Sequence, residues 1–480
     1  MRFGALIYIL GYGGGMLAIT MLLPLLLSIG MGNDVHARNF TIGFFLTAFV
    51  SGAMILVGRA ARKYPAREIE LFLVMVLVWA ALPLLASVPF TGALQVFGLS
   101  DAYFEAVSAL TTSGGSVMKY PELEVAPILL WRALLAWLGG LWMLIFAVAV
   151  LAPSGIGGIG LSASPLLQLH DKASLSWRIG QPLRLILPIY ASLTALGIVA
   201  VLATGGGLFD TVCVVLSAIS STGFVTDSGG VTAQFNPVGQ FFIAVISFAG
   251  ALSAPVLVAL GVGKRLQNLS RDSELRIFIA LILIYGVISA VIISDVGLVS
   301  ALMQAMSLFS TAGFDFIGEE GLLGWPVVWV MGPMIIGGMA LSAAGGMKVL
   351  RVLTIAKGVG NEFAHLAYPS SVHPMSIGSR RLEAKDLMAI WAYVAVFLMF
   401  LGGGILVVGL LGLGLSDSWP LVLSALSNNL AIIGSLNIDT QFAYMSPQLQ
   451  IFLAFLMVAG RVELLILMVF LTPSFWRNLR

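Results

Sequence analysis

The sequence predicts an all-α polytopic membrane protein. Four pseudo-repeats of long helix, re-entrant short helix and long helix follow two additional N-terminal helices, giving ten spans and four half-spans. Three observations carry this prediction. Of 480 residues, 59% are hydrophobic and only 10% charged, with a mean hydropathy of +1.03; soluble domains carry about 25% charge. A short motif recurs as Ser108-Ala-Leu-Thr-Thr-Ser-Gly114, Ser217-Ala-Ile-Ser-Ser-Thr-Gly223 and Ser307-Leu-Phe-Ser-Thr-Ala-Gly313, and more weakly as Ser424-Ala-Leu-Ser-Asn-Asn-Leu-Ala431. Recurrence of this kind marks one supersecondary unit used four times. Lys and Arg gather in alternate connections, as the positive-inside bias produces.

Taken in order, the apolar run 3–31 is too long for a signal-peptide core and reads as a first span. A second follows at 40–58, then the basic loop 59–67, so residues 1–67 form an N-terminal helix pair. The first pore repeat, 68–155, places spans at 69–88 and 126–151 around the short helix that ends at Gly114. The second, 156–264, has spans at 182–203 and 238–262 around Gly223. The third, 265–360, has spans at 275–293 and 327–353 around Gly313, the latter interrupted by Gly337-Gly-Met-Ala-Leu-Ser-Ala-Ala-Gly-Gly346. The fourth, 361–480, has spans at 387–411 and 449–470 around Asn428–Ala431. A span needs about 20 residues, and the intervening short helices are too brief to cross.

Most of the 24 Lys and Arg lie at Arg2, 59–67, 172–184, 264–276, 348–385 and the C-terminal end. Arg38 and Lys119 fall on the opposite side, and Arg132 and Arg461 fall inside spans. This pattern puts both termini in the cytoplasm and the four short helices toward the outside. Acids such as Asp101, Glu105, Glu122, Asp210, Asp227 and Asp315 populate the outer connections. There they would concentrate cations, or simply form a solvated surface.

The chemistry suggested by the repeats is ion coordination. A short helix that ends in Gly can turn main-chain carbonyls toward an axis, and converging carbonyls replace a cation's water shell. Small, hydroxyl-rich segments also allow close helix packing, but four copies in equivalent places favour the filter. The Gly pairs at Gly337, Gly338, Gly345 and Gly346 mark either unwound backbone lining a cavity or tight packing. Arg461 inside a span needs water or a partner, Glu463 being one candidate. Lys348 stands nearer the cytoplasmic end, where its side chain can snorkel. Gly155-Ile-Gly-Gly-Ile-Gly160 matches a dinucleotide fingerprint in letters only, since it follows a span and lacks the downstream acid.

The chain resembles the Trk/Ktr/HKT potassium transporter family, in its bacterial TrkH-type membrane subunit. The resemblance rests on the four motifs, on Trp131-Arg132 with Trp137-Leu-Gly-Gly140, and on Gly345-Gly-Met-Lys-Val-Leu-Arg351. It rests also on Asn428-Asn429 and on Gly460-Arg-Val-Glu463 with Pro473-Ser-Phe-Trp-Arg477. It implies potassium uptake in a bacterial inner membrane, with no cofactor in this chain and K+ as substrate. Filter residues would be Thr111, Thr112, Ser113 and Gly114; Ser221, Thr222 and Gly223; Thr311, Ala312 and Gly313; Asn429, Leu430 and Ala431. Ions would sit at Gly114, Gly223, Gly313 and Ala431. An obstructing loop with Gly337, Gly338, Gly345, Gly346 and Lys348, and a pore-facing Arg461, would act as gate. A homodimer and a cytosolic nucleotide-binding TrkA-like ring are the implied partners, with no nucleic acid. Departures stand in the fourth segment, where Ala431 replaces a Gly unless Gly434 serves, and at Thr222. With Ala431 held at φ > 0, the carbonyl ring would be asymmetric and potassium preference modest. A sodium-preferring or non-selective pathway, or a non-conducting regulator, fits the same fold. A membrane enzyme does not, because no paired acid, Cys/His or Ser/His constellation falls within the spans and Cys213 is the single cysteine.

Overall fold

A computed structural model describes residues 3–60, 68–154, 175–262, 272–293, 296–318, 321–367, 376–377, 380–381, 384–436 and 442–472. The loop 155–160, most of the basic loop 59–67, Lys172 and Arg477 lie outside the described residues. The fold is helical; a ladder pairing Ser376–Ile377 with Arg380–Arg381 is the only strand pairing among the described residues. Helices α1 (Phe3–Gly30) and α2 (Asp34–Gly58) form an antiparallel pair, with α1 packed on the first repeat. That repeat comprises α3 (Glu68–Ala86), α4 (Leu99–Leu110) and α5 (Ala126–Phe146). The second comprises α6 (Leu175–Leu202), α7 (Leu208–Ile219), α8 (Pro237–Gly250) and α9 (Ala254–Val262). The third has α10 (Ser273–Ile292), α11 (Leu298–Phe309), α12 (Val327–Ile336) and α13 (Val349–Ala367). The fourth has α14 (Ala384–Leu410), α15 (Leu415–Leu426), α16 (Pro447–Val462) and α17 (Leu464–Leu471).

Among the described residues, seven helices are long and apolar enough to cross a membrane, and two bent pairs raise that to nine. Continuous spans were expected at 238–262 and 449–470. Instead α8 and α9 meet at 115°, and α16 and α17 at 103°. The apolar pattern runs through the first bend, whereas the second holds Arg461 and Glu463, two charges in three residues. The third repeat opens further, with an irregular loop from 337 to 348 between α12 and α13. Of the four second spans, α5 alone runs unbroken, continuing into a π-helical stretch, Ala147–Leu151. It is almost wholly buried, whereas α2, α6, α10 and α14 expose most of their length, as lipid-facing helices do.

The four short helices, α4, α7, α11 and α15, are built alike. Each has 12 residues and starts with Gly-Leu, the Gly (98, 207, 297 or 414) at the N-cap. Twelve residues rise about 18 Å, roughly half the hydrocarbon thickness. Each ends in the same cap. The amides of Ser113, Thr222, Ala312 and Asn429 bond the carbonyls of Ser108, Ser217, Ser307 and Ser424 at 2.8–3.0 Å. The preceding amides bond those of Ala109, Ala218, Leu308 and Ala425 at 3.0–3.2 Å. These paired bonds define a Schellman motif, which needs a left-handed residue. Thr112, Ser221, Thr311 and Asn428 supply it, with φ of 54°, 59°, 54° and 51°. A non-glycine residue there costs about 1–2 kcal/mol, so the surrounding packing must hold all four.

Three second spans lean on these caps through glycine. A Cβ at Gly139, Gly250 or Gly460 would collide with the carbonyl oxygen of Leu110, Ile219 or Leu426, the last residue of each short helix. Gly402, on exposed α14, has open space around it. Gly139→Ala and Gly460→Ala should each destabilise the protein by about 1–3 kcal/mol through overpacking, while Gly402→Ala is neutral or slightly stabilising. Thermal unfolding in detergent measures this, and equal midpoints for the three variants would rule out the tight cap contact.

Candidate functional site

The caps bring the four motif segments together. Cβ atoms built on Gly114, Gly223 and Gly313 would lie 2.7, 2.7 and 2.8 Å from the Cβ of Ala431. Three glycines from three repeats therefore surround one methyl group from the fourth. The same construction on Gly114 would strike the Thr222 carbonyl oxygen, and on Gly223 the Ala312 carbonyl oxygen. Each segment thus abuts the next around a common axis. All three glycines have φ between 74° and 85°, a conformation that suits glycine alone without strain. Gly114, Gly223, Gly313, Leu430 and Ala431 all open onto one cavity of about 650 Å³.

The fourth segment departs from the other three. Its left-handed residue is Asn428, so Leu430 occupies the position equivalent to the glycines, and Ala431 follows it in a 3-10 turn, Leu430–Ser435. Ala431 is therefore not held at positive φ, contrary to the expectation of strain there. The amides of Leu430 and Ala431 both donate to the Ser113 carbonyl, at 2.5 and 3.2 Å. Asn428 ties this segment to the first through Ser113 Oγ at 2.8 Å, and to α16 through the Met457 carbonyl at 2.8 Å. Gly434 lines the cavity wall but has nothing within 4 Å of a built Cβ, so it does not join the ring.

The loop 337–348 packs against the third and fourth caps as unwound backbone, with several of its polar groups paired. The Ala251 carbonyl, freed by the α8–α9 bend, accepts the Met339 amide at 3.1 Å, and the Ala254 amide donates to the Leu341 carbonyl at 2.9 Å. The Ala340 amide donates to Glu274 Oε1 at 2.6 Å. The Gly345 amide donates to Thr311 Oγ1 at 2.7 Å, joining the loop to the third motif. Gly337 and Gly346 pack back to back with no room for a Cβ on either. Leu341 and Lys348 take φ of 59° and 76° without being glycine, which is stored strain.

Arg461, in the last turn of α16, is buried beneath the ring. Its Nε donates to the Thr111 carbonyl at 2.7 Å and its Nη1 to the Ala343 carbonyl at 2.7 Å; Nη2 has no partner among the described residues. Glu463, offered by the sequence as its ion-pair partner, instead meets Arg351 at 2.8 Å. The reason is backbone geometry, since Glu463 sits at φ 70° in the α16–α17 bend and points away from Arg461 to α13. The Arg351 guanidinium also lies 3.8 Å over the Tyr393 ring. Lys348 does not snorkel; it is buried, and its Nζ donates to the Ala344 carbonyl.

The outer acids mostly brace loops. Asp101 accepts from the Phe97 amide and Gln450, Glu105 from Ser116 and the Val117 amide, Glu124 from the amides of Leu94 and Gln95, and Asp210 from Thr226. Asp315 lines the cavity. Burial pushes its carboxyl above the usual carboxylate range, against the Ile317 amide that favours the charged form. The sequence marked Arg132 as a charge inside a span without giving it a role; it lies near the ring. It stacks 4.5 Å from the Phe224 ring and donates to the Val225 carbonyl at 2.6 Å, fixing the chain just past Gly223. Arg351 appeared only as the end of a motif, and Tyr393 and the Gly-Leu pair that starts every short helix were passed over, the latter a regularity plain in the letters.

A family profile described as TrkH, cation transport protein, matches residues 36–477. The chain is 29% identical over the full length of both proteins to the Trk system potassium uptake protein TrkH of Salmonella typhimurium. It is 25% identical to TrkI of Halomonas elongata, across 96% of this chain and 94% of that one. The crystal structure of the potassium transporter TrkH from Vibrio parahaemolyticus superposes with a TM-score of 0.87 at 26% identity, covering 99% of this chain and all of that one. Helix architecture, repeated caps and matched length agree, and the chain belongs to the TrkH family of cation transport proteins.

Proposed function

We propose that this chain conducts potassium ions into a bacterial cell along the axis on which the four capped segments converge. The observation that carries this reading is the ring itself: Gly114, Gly223, Gly313 and Ala431 meet under one cavity, with carbonyls of successive segments abutting around it. A cation entering the cavity would exchange water for those oxygens. The relatives named as potassium uptake proteins support K+ as the ion. The loop 337–348 and Arg461 form the barrier below, and this arrangement is a closed state. Division into 1–67, 68–155, 156–264, 265–360 and 361–480, the cytoplasmic termini, a homodimer and a TrkA-like cytosolic ring belong to the same proposal. Rubidium and potassium uptake into proteoliposomes containing the purified protein tests it; absence of any cation flux would support the non-conducting regulator.

Arg461 places a fixed charge next to the proposed path, which raises the energy of a neighbouring cation. Arg461→Ala should raise flux about tenfold, a change of roughly 1.4 kcal/mol in barrier. If the variant unfolds in detergent while Arg461→Gln leaves flux untouched, the arginine is only a structural clamp.

The Ala431 methyl fills space that the three glycines surround. Ala431→Gly should widen the ring, raising potassium flux several-fold and potassium-over-sodium preference with it. Unchanged flux and selectivity would show that ions pass elsewhere.

Orientation is checked with an impermeant thiol reagent, since the native Cys213 is buried. On intact cells a cysteine at Ser228 should react, and one at Lys357 should react only after permeabilisation. Labelling of both from outside would refute the four-repeat orientation.

A further inference from the structure

Asn429 is fully buried, and neither atom of its amide has a hydrogen-bond partner among the described residues. Such a group in a protein interior calls for an explanation. Counted from the left-handed residue of each cap, Ser113, Thr222, Ala312 and Asn429 are equivalent. A Cβ on Gly114 meets the main-chain oxygen of Thr222, and one on Gly223 meets that of Ala312. On Gly313 it meets not the main chain of Asn429 but its Oδ1. At the third junction, therefore, a side-chain oxygen stands where a main-chain oxygen stands at the first two. Backbone geometry gives the cause. Asn429 has φ −141° and ψ 55°, and the chain enters a 3-10 turn at Leu430 because the next two amides bond the Ser113 carbonyl.

Building on the proposed function, we propose that the Asn429 side-chain amide oxygen is the cation ligand of the fourth repeat, replacing the main-chain carbonyl there. An amide oxygen matches a peptide carbonyl as an acceptor, so the ion still meets a dipole of the same kind from that quarter. It differs in hanging on a rotatable side chain. The ring therefore has one adaptable member, and potassium-over-sodium preference depends on how Asn429 is held. The Thr222 and Ala312 oxygens belong to the residues before Gly223 and Gly313, and Asn429 stands before Leu430, two residues from Ala431; the corresponding Ser113 carbonyl is taken by the Leu430 and Ala431 amides.

The test uses the purified full chain with two readouts, potassium-dependent thermal stabilisation in detergent and potassium and sodium flux in proteoliposomes. Asn429→Leu keeps the branching at Cγ and removes the oxygen. It should abolish stabilisation by potassium and lower potassium flux at least tenfold. Asn429→Asp keeps an oxygen and adds charge. It should lower the potassium half-saturation at least threefold and strengthen block by barium, a divalent ion of similar radius. Wild-type behaviour of Asn429→Leu in both readouts overturns the assignment while leaving the transport reading intact. Should Asn429→Leu fail to fold, Asn429→Asp decides, and an unchanged half-saturation and barium block overturn the proposal. A wild-type protein that neither transports potassium nor is stabilised by it overturns both the assignment and the transport function beneath it.

Discussion

Main-chain polar groups inside a membrane need partners, and this fold depends on how it meets that need where its helices break. Three of four second spans are interrupted, and each interruption exposes N–H and C=O groups that lipid cannot bind. The solution is reciprocal. The loop 337–348 takes the groups freed at Ala251 and Ala254, and Thr311 and Glu274 take amides of that loop. Arg461 then binds one carbonyl above, at Thr111, and one below, at Ala343. The loop therefore stays in place because it completes the α8–α9 break and is held by Arg461 from the α16–α17 break. Each such bond contributes only about 0.5–1.5 kcal/mol net, but leaving one unmade costs more than making it gains.

The same need explains the strain. Thr112, Ser221, Thr311 and Asn428 are left-handed without being glycine, and Leu341, Lys348 and Glu463 share the condition. Among the described residues the seven such positions fall in the four caps, in the loop 337–348 and at the α16–α17 bend. Their cost is offset by packing so close that Gly139, Gly250 and Gly460 admit no side-chain atom. Rigid caps above and a clamped loop below make the central region a single unit, while α2, α6, α10 and α14 face outward on looser terms.

Much of this was legible in the sequence, for physical reasons that can be named. Hydropathy marks the spans because the bilayer selects composition directly. The Ser-to-Gly motif marks the caps because a Schellman turn imposes residue types at fixed offsets. Gly337–Gly346 was readable as broken backbone. The bends at Ala251 and Glu463 were not: the first lies in an apolar run, and at the second Arg461 and Glu463 read as charges inside a span rather than as a break. What bends them lies far off in the chain: Met339 and Leu341 in one case, Arg351 in the other. In the fourth segment Leu430 takes the glycine position counted from the cap, although Ala431 is the residue that the three glycines surround. Without a glycine, nothing local distinguishes Leu430 from Ala431, and the left-handed Asn428 shows itself only in the fold.

The fourth cap keeps its geometry while the residues after it diverge. In a pore made of four identical subunits, every substitution appears four times at once. Here the repeats are fused in one chain, and Leu430 and Ala431 change a single quadrant while Gly114, Gly223 and Gly313 are untouched. Evolution of such a ring can proceed by quarter steps, each small enough for the other three quadrants to keep the structure intact.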